Sequence, residues 1–165
     1  MEFPVAQTDH SSHDCLLVTV LTHGEMNILY AKDYPYNSEL IWTSFNPDKV
    51  PSLAGKPKIF LIQACQGREL DHGTVLVKTS QTQVDSVPNY DRRVPADPDF
   101  LIVNSTFPGH FSWRNKINGT WFVQTLCKVF QQFAKQKDLL AMMIHVSREV
   151  ANVTTYLFLK GGNKP

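Results

Sequence analysis

The sequence predicts an α/β fold, on three observations: short apolar runs, a helical segment between the first two of them, and two amphipathic stretches in the last third of the chain. The runs are Cys15 to Leu21 (CLLVTVL), Lys58 to Ile62 (KIFLI) and Phe100 to Val103 (FLIV). They are rich in Val, Ile, Leu and Phe with little alternation, as strands buried on both faces should be. Between the first two lies NSELIWTSF, Asn37 to Phe45, with a polar start and near-helical apolar spacing before PDKVPS breaks it. Strand, helix, strand implies a parallel crossover.

From Thr120 the period changes. Trp121, Phe122, Leu126, Val129, Phe130 and Phe133 recur at three- and four-residue intervals, with Lys128, Gln131, Gln132 and Lys135 on the other face. A second helix begins near Asp138, a residue suited to an N-cap, with Leu139, Leu140, Met143, Val146 and Val150 along one side. Both helices should cover the sheet. By contrast, Gly73 to Pro98 is polar, carries several prolines and sustains neither period, which predicts a long exposed loop.

Composition sets the outer bounds. A chain of 165 residues, 42% hydrophobic and 19% charged, suits one domain with a core. Sixteen basic residues against fifteen acidic, scattered along the chain, give a net charge of +1, which excludes the electrostatic footprint of a nucleic-acid binder. No stretch reaches the roughly 18 apolar residues of a membrane helix, and the first residues lack a basic start followed by an apolar run. The expectation is therefore a soluble, unsecreted protein without a membrane partner. Cys15, Cys65 and Cys127 are odd in number and form no CxxC pair, which argues against disulfides or structural zinc and favours the reducing cytoplasm.

The chemistry concentrates where two strands end. The first runs into Thr22-His23-Gly24-Glu25, the second into Gln63-Ala64-Cys65-Gln66-Gly67. Ligand sites of open parallel sheets gather outside the carboxyl ends of the strands, so His23 and Cys65 should reach one rim. A thiolate nucleophile needs a neighbouring imidazole to move protons and backbone N–H groups to receive an oxyanion. Gly24, with no side chain to obstruct its N–H, and the N–H of Cys65 suit the last task. Taken singly, a cysteine ending an apolar strand is more often a core residue, and a lone histidine is usually structural.

The full context changes that balance. QACQG, with a histidine upstream, matches the pattern given for caspases, where that histidine stands about 50 residues before the cysteine. LTHGE, PSLAGKPKIFLIQACQGRELDHG and PDFLIVNSTFPGHFSWRNKINGTWFVQTLC resemble, in order, segments of the large and small subunits of an effector caspase. The similarity runs from about Asp9 to Val153. It implies a three-layer sandwich, a mainly parallel central sheet with helices on both faces. One catalytic domain would comprise a large-subunit-like segment at 1–73, an intersubunit linker at 74–98 and a small-subunit-like segment at 99–165.

The same resemblance assigns roles. Cys65 would be the nucleophile, His23 the general base and acid, and Gly24 with Cys65 the oxyanion donors, with no metal or cofactor. Gln63 and Arg114 match positions lining the pocket for a substrate aspartate, where a guanidinium can pair bidentately with a carboxylate. Ser112 and Arg114 match a segment that binds the substrate backbone as an added strand. Phe111 and Trp113 would face the residue beside the aspartate, and Asn115 and Trp121 lie farther along the groove. Trp121 is equally explained as a helix residue packed in the core.

Zymogen processing in the family cuts the linker after aspartate, which makes Asp85 the first candidate and Asp91 the second; a turn-forming aspartate is the plain alternative. Implied partners are protein substrates with an exposed aspartate, a caspase-type dimer partner and an upstream activating caspase. Relative to the family, the resemblance implies a chain truncated at both ends, lacking the pocket's second arginine and the final strand that builds the dimer interface. The leading expectation is thus an aspartate-specific cysteine endopeptidase of apoptosis. The alternatives are a non-catalytic caspase-like fragment that binds or regulates full-length caspases, and a related peptidase cutting after basic residues. Arg114 speaks against the last, since a basic substrate needs an acidic pocket.

Overall fold

The computed structural model describes residues 3–69, 99–115 and 119–161. Strands are β1 (Leu16–Leu21), β2 (Gly24–Glu25), β3 (Ile28–Tyr30), β4 (Pro35–Asn37), β5 (Lys58–Gln63), β6 (Phe100–Asn104), β7 (Arg114–Asn115) and β8 (Gly119–Thr120). Helices are α1 (Glu39–Thr43), α2 (Trp121–Phe133) and α3 (Leu139–Gly161). The main sheet has the order β1-β5-β6 and is parallel throughout, with Leu16↔Lys58 to Leu21↔Gln63 on one side of β5 and Lys58↔Phe100 to Ile62↔Asn104 on the other. The three apolar runs are the three strands, and the α/β class expected from them holds. Residues from both sides of the 74–98 segment build this sheet; the segment itself, and with it Asp85 and Asp91, lies outside the described residues.

Alternation along β5 separates two cores. Phe60, Ile62 and Ala64 face one way, joining Leu16, Leu29, Ile41, Phe45, Val50 and Leu53. Leu61 faces the other way and packs with Phe122 and Val129 of α2 and with Met142, Met143 and Val146 of α3. Lys58 is the most deeply buried of the polar residues at 1% exposed, but its Nζ donates to the carbonyls of Leu53 and Lys56 at 3.1 and 2.9 Å and lies 4.8 Å from the Phe100 ring centroid. A buried ammonium is tolerable only with such partners.

Two sequence expectations change. First, β1 is not buried on both faces: Leu17 and Leu21 are 59% and 60% exposed, because α2 and α3 lie over β5 and β6 and leave that side of β1 open. Second, the helix expected over Asn37 to Phe45 shrinks to α1, since Asn37 ends β4 and its Oδ1 accepts the Glu39 N–H at 2.8 Å. An Asx turn thus replaces the first helical turn. The stretch after His23, for which the sequence predicts no element, is the antiparallel meander β2-β3-β4, turned at Asn27 with φ 60, a conformation asparagine accepts. The start of α3 is as expected, with the Ala141 N–H donating to Asp138 Oδ1 at 2.8 Å.

Candidate active site

Strand register brings the two reactive side chains together. Leu21 and Gln63 are paired across β1 and β5, and His23 and Cys65 each stand two residues beyond that pair. The ladder continues past it, since the Thr22 N–H donates to the Gln63 carbonyl at 3.0 Å. Neighbouring strands lie about 4.8 Å apart, so equal overhangs carry both residues to one rim. His23, Gln63, Cys65 and Ser112 all line a single groove of about 900 Å³. Its far wall is the stripe Val123, Gln124, Cys127, Lys128 and Gln131 of α2.

Gly24 is there because nothing else fits. A Cβ on it would come within 2.8 Å of the Cys65 and Ile28 carbonyl oxygens and 3.1 Å of the Ala64 Cβ. The meander therefore lies directly against the backbone of the cysteine. On the other side, the loop after Cys65 is bonded to the loop after β6: Gln66 N–H to His110 O at 3.0 Å, Gly109 N–H to Gln66 O at 2.9 Å, and Glu69 N–H to Gly109 O at 2.9 Å. Gly67 packs so closely that a Cβ would fall 2.1 Å from the Gly109 oxygen, which explains the glycine of QACQG physically. Cys65 is a free, half-buried thiol whose Sγ accepts the Ser112 N–H at 3.4 Å.

Gln63 is 5% exposed, and its Nε2 donates to Ser112 Oγ at 2.7 Å, while its Oε1 is buried with no partner among the described residues. Arg114 and Asn115 form β7, paired with β8 as Arg114↔Thr120 and Asn115↔Gly119 in a short antiparallel ribbon. Phe111, Trp113 and Trp121 do not line the groove around Cys65. Trp121 is not a core residue either; it stacks on Trp113 with centroids 5.5 Å apart and an interplanar angle of 14°, while Phe122 and Val129 supply the buried side of α2.

Sequence reasoning missed the α2 wall. Lys128 and Gln131 belong to the polar side of the helix and were expected to face solvent, yet with Gln124 and Cys127 they border the groove. The i, i+4 spacing of Gln124 and Lys128 marks a common stripe, but nothing in the sequence says that the end of β1 lies opposite. Thr120, whose buried Oγ1 also has no partner among the described residues, was legible only as a helix start.

A parallel sheet that delivers a thiol and an imidazole to one groove defines a protein of the α/β class with a cysteine–histidine site. Comparison with known proteins specifies it further. A sequence model described as Caspase domain matches residues 3–164. The chain is 50% identical over 146 residues to Caspase-1 of Spodoptera frugiperda, covering 88% of this chain and 48% of that protein. It is 47% identical to Caspase drICE of Drosophila melanogaster (88% and 43% covered) and 39% identical to Caspase-3 of Bos taurus (89% and 52%). The crystal structure of Caspase-1 from Spodoptera frugiperda superposes with a TM-score of 0.72 at 48% identity, covering 86% of this chain and 51% of that one. The chain belongs to the caspase family, as its motifs suggested. It spans about half the length of the curated relatives it matches.

Proposed function

We propose that this chain carries the catalytic centre of a cysteine endopeptidase that cuts after aspartate in programmed cell death. The observation that carries the reading is the equal overhang of His23 and Cys65 past the Leu21↔Gln63 pair, which sets both on one groove. The Cys65 thiolate attacks the aspartyl carbonyl carbon, and the N–H groups of Gly24 and Cys65 receive the oxyanion. His23 delivers a proton to the leaving amine, then takes one from the water that hydrolyses the thioester and frees the thiol.

Gln63 and Arg114 bind the substrate carboxylate. Ser112 and Arg114 offer their backbone to the peptide, with Phe111 and Trp113 beside the next substrate residue and Asn115 and Trp121 farther out. Processing follows Asp85 or Asp91 and is performed by an upstream caspase; a family-type dimer partner completes the assembly in the cytoplasm. No helix among the described residues is long and apolar enough to cross a membrane.

The test uses two matched fluorogenic peptides, one with Asp and one with Asn before the reporter, and an aspartyl electrophile whose adduct is mapped by mass spectrometry. The expected outcome is an adduct on Cys65 and a preference for Asp of about 10⁴-fold, because a site built for a buried polar group leaves its donors unpaired with the analogue. Comparable turnover of the two peptides rejects the assignment. No turnover together with no adduct favours the non-catalytic, caspase-binding alternative.

A further inference from the structure

Ser105 is the first residue past β6, and its backbone N–H donates to the Ile62 carbonyl at 2.9 Å. Its hydroxyl lies 3.2 Å from the Ala64 carbonyl oxygen and 2.8 Å from Ser112 Oγ, which in turn accepts from Gln63 Nε2 at 2.7 Å. One set of proton directions makes all three contacts hydrogen bonds. A carbonyl oxygen only accepts, so the single Ser105 proton goes to Ala64. The Ser105 oxygen then accepts from Ser112, and the Ser112 oxygen accepts from the amide N–H of Gln63. One directed chain runs from Gln63 through Ser112 and Ser105 to Ala64, the residue before Cys65.

This chain decides which way the Gln63 amide faces. Gln63 is 5% exposed and its Oε1 has no hydrogen-bond partner among the described residues, so the side chain is held against an unmet acceptor. Turning the amide over would let Oε1 take the Ser112 proton, and would move the amide N–H groups to the buried place Oε1 leaves. What prevents it is Ser105, which already claims that proton. A primary amide has two N–H groups; one is used by Ser112, and the other is the donor left for a carboxylate in the groove. With the amide reversed, a carboxylate would meet an acceptor oxygen, whereas a neutral amide would be accommodated.

We propose that Ser105 is a positioning residue for acid selectivity: without touching substrate, it orders the Ser112 hydroxyl so that Gln63 presents N–H and not oxygen to the substrate side chain. This rests on the reading that Gln63 lines the aspartate pocket. In Ser105→Ala the Ser112 proton loses its acceptor and turns to Gln63, and in Ser105→Thr the hydroxyl remains.

The experiment compares kcat/KM for the matched Asp and Asn peptides across wild type, Ser105→Ala and Ser105→Thr, alongside the rate of Cys65 alkylation by iodoacetamide. Expected for Ser105→Ala is a fall in the Asp-to-Asn ratio of about tenfold or more, the value of one hydrogen bond to a charged group, carried by the KM of the Asp peptide. Alkylation of Cys65 is unchanged, and Ser105→Thr restores the ratio. An unchanged ratio, an equal loss on both peptides or a failure of Ser105→Thr to restore selectivity overturns the proposal. The side-chain amide resonances of Gln63, assigned by their loss in Gln63→Glu, give a readout free of turnover. If wild type cleaves neither peptide, the protease reading fails while the relay is still decided. Amide protons protected from exchange in wild type and exposed in Ser105→Ala support it, and equal exchange in the two overturns it.

Discussion

The two faces of β5 differ most at the carboxyl end. On one face Phe60, Ile62 and Ala64 are buried and apolar to the last residue; on the other, apolar Leu61 gives way to Gln63 and then Cys65. The first face meets continuous core, and the second meets α2 and α3 until the helices give way to the groove. A single strand thus serves as scaffold and as site, and the pleat decides which residue does which. Rigid elements hold side chains more accurately than loops, and Cys65 stands only two residues past the buried end of β5.

That division is open to direct breakage. Cys65→Ala should reduce turnover of an aspartyl peptide by about 10⁴-fold or more, the scale seen when a nucleophile is removed from a concerted site. Its unfolding free energy should stay within about 1 kcal/mol of wild type, because the side chain is half-buried and belongs to neither hydrophobic cluster. Denaturant unfolding followed by fluorescence, beside a peptide assay, reads both quantities. A large loss of stability would mean that the groove face is structural after all.

Phe60→Ala is the mirror experiment. The ring is 0% exposed and packs against Phe45 and Phe100, each with centroids 5.9 Å away. Truncation should cost about 3–5 kcal/mol through lost burial and a residual cavity. Turnover per folded molecule, normalised by active-site titration, should change little. If specific activity fell with stability, the two faces would not be separable and the reading of β5 as a divided strand would fail.

How far this division was visible beforehand depends on the length scale of each signal. The three strands of the main sheet, both long helices and the His23 and Cys65 positions were legible because apolar period and strand ends are local properties of the sequence. Which face of β1 lies open was not, since it depends on α2 and α3 covering only β5 and β6. The meander was missed because β2, β3 and β4 are only two or three residues long, too short to show a period. Ser105 escaped for another reason: its partners are Ala64 and Ser112, and nothing about a serine after a strand announces a hydrogen bond across 41 residues. Gly67 and Gly24 were legible as glycines, but not the backbone contacts that require them.

Gly24→Ala sharpens the comparison with the smallest expected effect, because it touches the groove face without removing a reacting atom. The added Cβ meets two carbonyl oxygens at 2.8 Å, one of Ile28 on its own meander and one of Cys65. Backbone oxygens cannot rotate aside, so β2 must move away from β5. Such a shift carries His23 and the Gly24 N–H out of register with the thiol, and a misplacement of about 1 Å costs about 10²-fold in rate. On the proposed reading the loss should fall on kcat, since Gly24 meets the Cys65 carbonyl whereas Ser112 meets Cys65 at Sγ and bonds Gln63. If kcat were unchanged while KM rose, β2 would be serving substrate binding alone, and the oxyanion role of Gly24 would have to be withdrawn.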